Sequence, residues 1–356
     1  MFRLEDLGWG PFFQQQLSSE PPGDLVPGRV AEEMKGAYRV YAESGPLTAT
    51  TAGRLRHAAL TRDALPAAGD WVLVATHPGG DSAVIQKVLA RRTKLSRKAA
   101  GERTDEQVLA ANVDTVFVVA ALNQDFNPRR VERYLAAVWE SGARPVVLLS
   151  KADLCDDPDS LVSETESVAP GAPVLATSTV SGAGLDAIRE HIAPGETAVF
   201  VGSSGVGKSS LINALLDADA QSVPDIRADG KGRHTTTSRQ LIVVPSAGVV
   251  IDTPGLRELG LWDADVGLDR AFAEIDSLAG GCAFRDCRHV AEPGCAVLEA
   301  VDDGVLPEER FASYRKLERE RGFMARRQDK ALEIAEKKRW KRIHLDNRQR
   351  MRFRGR

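Results

Sequence analysis

No run of eighteen apolar residues occurs anywhere in the chain, so no segment reads as a membrane-spanning helix. The start, MFRLEDLGWG, lacks a basic segment followed by an apolar one, and no secretory leader is expected. Cysteine is scarce. Four in 356 residues do not make a disulfide framework, and three of them (Cys282, Cys287 and Cys295) fall within a fourteen-residue stretch. The expectation is a cytoplasmic protein with reduced thiols and a local use for that cluster. Wholesale disorder is excluded, because 43% hydrophobic residues suffice for real cores. The length suits two or three domains.

The net charge of −3 conceals an asymmetry. Residues 315–356 carry 17 Lys and Arg against 6 Asp and Glu, leaving an acidic body with a basic tail. The last twenty residues hold ten basic groups, one acid (Asp346) and two aromatics, Trp340 and Phe353. Such a tail suits a polyanionic partner.

Residues 1–34, rich in Pro, Gly and Gln, read as a loosely held extension. Over 35–95 short β-type runs follow one another (AYRVYA, LTATTAGRL, DWVLVAT, SAVIQKVL), with His77–Asp81 as a hairpin loop. Four or five short strands in so few residues predict a small OB-type β-barrel. After the charged linker RRTKLSRKAAGERTDEQ the period changes. Apolar runs (DTVFVVAAL, PVVLLS, APVLA, TAVFV) alternate with helical stretches, which predicts an α/β domain with a parallel sheet over 96–265. Residues 266–356 read as an α-helical module holding the cysteine cluster, a long helix and the basic tail.

Residues 202–209, GSSGVGKS, fill every fixed position of G-x-x-x-x-G-K-[ST], between the strand TAVFV and the helix KSSLINALL. Gly202, Gly205 and Gly207 let backbone N–H groups turn onto phosphate oxygens, and the helix N-terminus adds partial positive charge. Ser203, Ser204, Val206 and Ser210 complete the expected cradle. Lys208 reaches the β- and γ-phosphates and the Ser209 hydroxyl ligates Mg²⁺. Further on, VVIDTPG ends a strand at Asp252, where an acid suits a water-mediated Mg²⁺ contact, and Gly255 lets backbone approach the γ-phosphate. Between the two lies GKGRHTTTSRQL, in which Thr236, with Thr235 as alternate, is chosen to complete the metal shell. Lys208 and Thr236 are thus candidates for catalysis as well as binding.

The strand PVVLLS leads into Ser150-Lys151-Ala152-Asp153, similar to the guanine-reading N-K-x-D element. There the Asp takes the two N–H groups of the guanine edge and the Lys stem covers the ring. Adenine offers no such donor pair. Ser150 replaces the usual Asn, which is expected to remove a supporting hydrogen bond. The strand APVLA then ends at Thr177-Ser178, where a backbone N–H is expected to meet the guanine O6. These base-reading elements precede the phosphate loop, whereas in common GTPases they follow DxxG, so the order is a circular permutation.

The order SKAD, TS, GSSGVGKS, HTTT, DTPG, with PAAGDWV, LSRKAAG and GRHTTTSR, resembles the ribosome small-subunit-dependent GTPase A family. The resemblance covers about residues 35–320. It implies an OB-fold, a central permuted GTPase and a zinc module, and a role in late maturation of the small ribosomal subunit, with that subunit and its rRNA as partners. A monomer and no membrane partner are expected.

Leu256 follows DTPG where many GTPases carry the Gln that orients water, so intrinsic hydrolysis of GTP to GDP should be slow and stimulated by a partner. His234 is the nearby imidazole able to position water; a solvated loop histidine is the alternative reading. Cys282, Cys287, His289 and Cys295 provide three thiolates and an imidazole, a closed set for one structural Zn²⁺. Arg54, Arg56 and His57, with Arg39, Tyr38 and Tyr41, are candidate RNA-facing residues of the barrel, and the run RRTKLSRK adds five basic groups. Two other functions stay open: a P-loop ATPase or kinase, and a non-catalytic RNA-binding scaffold.

Overall fold

The structure is a computed structural model that describes residues 2–19, 23–59, 61–77, 80–98, 106–123, 126–220, 239–244, 247–252 and 265–326. Strands β1 (Val26–Met34), β2 (Ala37–Ala42), β3 (Gly45–Thr51), β4 (Trp71–Thr76) and β5 (Ser82–Val88) form a closed barrel. Its order is β1-β2-β3-β5-β4 with β4 returning to β1, and β3 runs parallel to β5. Inward residues such as Val30, Val40, Leu47, Val72, Val74 and Ile85 fill it. The expected hairpin across His77–Asp81 joins β4 to β5 in antiparallel register.

Two expectations are corrected here. First, β1 lies within the stretch read as a loose extension. Its first half pairs with β4 and most of it with β2. The residues before it also pack inward: Leu4, Leu7 and Phe13 are buried, Phe13 against Trp71, after helix α1 begins at Pro11 (Pro11–Ser19). Second, GRLRHA, read as part of a β-type run, is a short helix, α2 (Gly53–Ala58), between β3 and β4. Arg54, Arg56 and His57 therefore stand exposed on a helix.

A second hairpin, β6 (Lys94–Lys98) with β7 (Glu106–Ala111), leads into the α/β sheet. The sheet comprises β8 (Thr115–Ala121), β9 (Arg144–Ser150), β10 (Val174–Ala176), β11 (Thr197–Val201), β12 (Gln240–Val244) and β13 (Gly248–Asp252), in the order β10-β9-β8-β11-β13-β12. All but β12 run parallel to their neighbours, as the near-continuous apolar runs require. Around it lie α3 (Pro128–Ser141), α4 (Pro158–Val168), α5 (Leu185–Glu190) and α6 (Lys208–Ala220). The chain continues through α7 (Asp265–Ala271), α8 (Ala273–Ala279) and α9 (Ala296–Asp302) to a helix over 308–326. No helix among the described residues is long and apolar enough to cross a membrane.

Helix α3 starts as its sequence dictates: Asn127 caps the Arg129 amide at 2.9 Å, Pro128 occupies the first turn, and Gly142 closes the far end at φ 83°. Against α3 packs α7, so closely that a Cβ at Gly267 would run into the Ala136 carbonyl. Only glycine permits that approach.

One buried cation ties the parts together. Arg29 on β1 is 1% exposed and donates to the carbonyls of Leu7, Gly69 and Asn112 and, at 2.7 Å, to the Thr197 hydroxyl at the start of β11. Its full burial depresses its pKa to about 10, partly opposed by nearby Asp114, and the cation persists at neutral pH. Barrel, N-terminal residues and phosphate-loop strand thus share one hydrogen-bonded junction.

Candidate nucleotide and zinc sites

Strand β11 is buried throughout and ends in the loop Gly202–Gly207, from which α6 leaves at Lys208. Gly202, Gly205 and Gly207 take φ values of 144°, 79° and 95°, turning successive amides toward one side. A side chain at Gly202 would press into the Val119 carbonyl of β8, so the loop leaves the sheet in van der Waals contact with its neighbour. Lys208 Nζ donates to the carbonyls of Gly202 and Ser203, both at 2.7 Å, which aims the ammonium across the loop mouth. Ser209 and Ser210 are exposed at the first turn of α6. On the next strand over, Asp252 closes β13, which pairs with β11 through Val199–Ile251.

Of the residues expected to read the base, Ser150 meets this loop directly. Ser150 ends β9, and its hydroxyl donates to the Val206 carbonyl at 2.6 Å, with the Ala120 carbonyl 3.3 Å away. This corrects the expectation that replacing Asn by Ser removes a supporting bond: the strand end sits close enough for a one-carbon side chain to reach the phosphate loop. Lys151 adopts the left-handed conformation at φ 60°, and Asp153 lies exposed on the following single turn. The Ser178 hydroxyl donates to the Asp153 carboxylate while accepting from the amides of Val180 and Ser181 at 3.1 and 3.2 Å.

Two backbone amides at the strand end expected to face O6 are already engaged. The Thr177 amide donates to Leu149 at 2.8 Å and that of Ser178 to Ala183 at 3.0 Å, so both are committed within the protein. The next amide, Thr179, has no acceptor among the described residues.

Removing the Ser150 hydroxyl would leave the Val206 carbonyl without its donor. Ser150→Ala is expected to weaken GDP binding about 5–10-fold, roughly 1 kcal/mol, in a fluorescent-nucleotide titration. Unchanged affinity would show that the bond does not hold the loop.

Beside the loop, a cavity of about 210 Å³ is walled by β8, the start of α3 and residues 203–206. Arg130 of α3 lines it and donates to the Ser203 hydroxyl at 3.1 Å. His234, Thr235, Thr236, Gly255 and Leu256, like the basic tail beyond 326, lie outside the described residues.

The ligand atoms of Cys282, Cys287, His289 and Cys295 all lie within 4.8 Å of one another. His289 Nδ1 is 3.3 Å from the Cys295 sulfur and 3.6 Å from that of Cys282, and those two sulfurs are 3.9 Å apart. Tetrahedral bonds of about 2.3 Å to sulfur and 2.0 Å to nitrogen place ligand atoms roughly 3.5–3.8 Å apart, so the donor set fits zinc. Glu292 braces the connecting loop, its carboxylate accepting from the amides of Val290, Ala291 and Arg288 at 2.8–3.0 Å. Those bonds hold its pKa down at about 2.

Two of the barrel residues expected to face RNA also make contacts within the protein. Tyr38 packs with the barrel interior, and Tyr41 stacks on Phe2 at 4.5 Å between ring centres. The linker cations are largely engaged as well. Arg91 makes two 2.7 Å bonds to buried Asp70, Arg92 pairs with Asp114 and Lys94 with Glu106. They brace the domain junction rather than offering free charge.

The family model described as RsgA GTPase matches residues 88–262. A small ribosomal subunit biogenesis GTPase RsgA of Opitutus terrae is 47% identical over 99% of both chains. Its namesake in Streptomyces coelicolor is 45% identical over 95% of this chain and 92% of that one. Among solved structures, YjeQ of Thermotoga maritima superposes with a TM-score of 0.62 at 28% identity, covering 83% of this chain and 98% of that one. YloQ, described as a circularly permuted GTPase, superposes with a TM-score of 0.58 at 27% identity, covering 87% and 98%. With a closed barrel, a permuted phosphate-loop domain and a three-cysteine, one-histidine cluster in a single chain, the protein belongs to the RsgA GTPase family.

Proposed function

We propose that this chain hydrolyses GTP to GDP and phosphate in the cytoplasm while bound, as a monomer, to the maturing small ribosomal subunit. The observation that carries the reading is the Ser150–Val206 bond, which locks the guanine-reading strand end to the phosphate loop in one rigid unit. Asp153, oriented by Ser178, accepts from the guanine edge; the Thr179 amide faces O6; the Lys151 stem covers the ring. Lys208 and the amides of 202–210 neutralise the phosphates. Ser209 and Thr236 would hold Mg²⁺, with Asp252 acting through water, and the ion supplies charge for the transferring phosphoryl group.

Chemistry then needs a positioned water. Leu256 cannot accept its proton or orient it, which leaves His234 for that task when the subunit arranges the loop. The division of labour places rRNA contact on the barrel, through Arg54, Arg56 and His57, and on the basic tail. Catalysis falls to 96–265 and docking geometry to the zinc module from 266. His234→Ala is expected to lower subunit-stimulated turnover about 10²-fold or more with GTP affinity nearly unchanged. Stimulated turnover at the parent rate would remove His234 from the mechanism.

A further inference from the structure

The first two turns of α3 face both ways. Toward the nucleotide, Arg130 donates to the Ser203 hydroxyl at 3.1 Å, while the carbonyl of the same Ser203 accepts from Lys208 at 2.7 Å. One residue therefore receives the phosphate-sensing lysine on its backbone and an α3 cation on its side chain. Toward the C-terminal module, Glu132 is fully buried and gathers three donors: Arg129 at 2.5 Å, Arg310 at 2.7 Å and the Ser313 hydroxyl at 2.5 Å. Arg310, itself 4% exposed, also binds Glu274 at 2.7 Å and the Ala271 carbonyl at 2.6 Å, and lies 4.2 Å over the Phe272 ring. Arg133 adds a two-pronged pair to Glu320 at 2.6 and 3.0 Å.

Buried ion networks of this kind tolerate one arrangement and resist intermediate ones, because a half-broken network leaves a charge without partner or water. A shift of α3 would reach the helix over 308–326 through these contacts. A phosphate drawing on the Lys208 ammonium would compete with the Ser203 carbonyl for it, beside the hydroxyl that Arg130 holds.

We propose that the start of α3 couples the phosphate site to the C-terminal module, with Arg130 as the positioning residue that carries the coupling and Glu132–Arg310–Ser313 as its far anchor. This rests on the nucleotide-site reading above. Because binding energies are reciprocal, a module held differently by a partner also alters nucleotide affinity.

Hydrogen exchange on the full chain, with and without GDP or a non-hydrolysable GTP analogue, tests it. Nucleotide should protect 202–210 and also change exchange over 308–326 in the parent protein. In Arg130→Met the protection of 202–210 should remain while the response at 308–326 disappears, and Arg130→Lys, which keeps a donor, should restore part of it. Ser313→Ala, which loosens the anchor without stranding a charge, should shift GDP affinity about 5-fold. An undiminished response in Arg130→Met would overturn the coupling, as would protection of 202–210 with no response at 308–326. Absence of protection at 202–210 in the parent would instead overturn the nucleotide site itself.

Discussion

Asp153→Asn is expected to turn a guanine site into a xanthine site. A carboxylate offers acceptors only, and guanine's edge presents two donors, the ring N–H and the exocyclic amine. A carboxamide replaces one acceptor by a donor, which then faces the amine. Xanthine carries a carbonyl where guanine carries that amine, so the new donor finds an acceptor. Ser178 can go on donating to the side-chain oxygen at 153, so the geometry survives the change. GDP affinity should fall about 10²–10⁴-fold while xanthosine diphosphate gains, since a donor set against a donor discriminates far more than a lost contact. Competition against a fluorescent guanine nucleotide reads both. Parent-like GDP affinity in the variant would mean that Asp153 does not read the base.

Zinc removal should have the second large effect. The four ligands hold together 282–295, a stretch in which Cys295 and His289 are among the few buried side chains. Structural zinc contributes about 10–16 kcal/mol in small metal-folded units, as much as or more than a whole domain's usual stability. A strong chelator at neutral pH, or Cys295→Ser, is therefore expected to unfold α8, α9 and the intervening loop. The effect should spread to the helix over 308–326, because Arg315 donates to the His289 carbonyl at 3.0 Å. One face of the sheet carrying the phosphate loop has a core separate from the zinc module, and the strands it covers should keep their protection. Metal analysis should return one zinc per chain. Retained exchange protection over 273–302 after complete demetallation would show that the cluster is not structural.

What was legible in the sequence was chemistry that needs contiguous residues. The phosphate loop, the DTPG strand and the Cys/His cluster each carry their geometry within a few positions. Contacts between distant residues were not legible. Strand β1 was hidden because Pro27 and Gly28 break its local pattern. Yet Gly28 sits where a side chain would strike Val40 across the barrel, and Pro27 is paired with Leu73. Arg91 and Arg92 read as linker charge because Asp70 and Asp114, their partners, stand about twenty residues away in sequence. Ser150 looked like a weakened motif; only the approach of Val206 shows that the shorter side chain reaches. The same limit hid the two-sided use of α3, whose PRRVER reads as an ordinary charged first turn.

The most direct test of the central claim is GTP turnover by the purified full chain, alone and with purified small ribosomal subunits, beside large subunits and ATP as controls. The account predicts slow release of phosphate by the chain alone and strong stimulation by small subunits only, within the roughly 10³–10⁵-fold range that partners achieve. It predicts no comparable turnover of ATP. Equal rates with and without small subunits, or ATP used as readily as GTP, would contradict it.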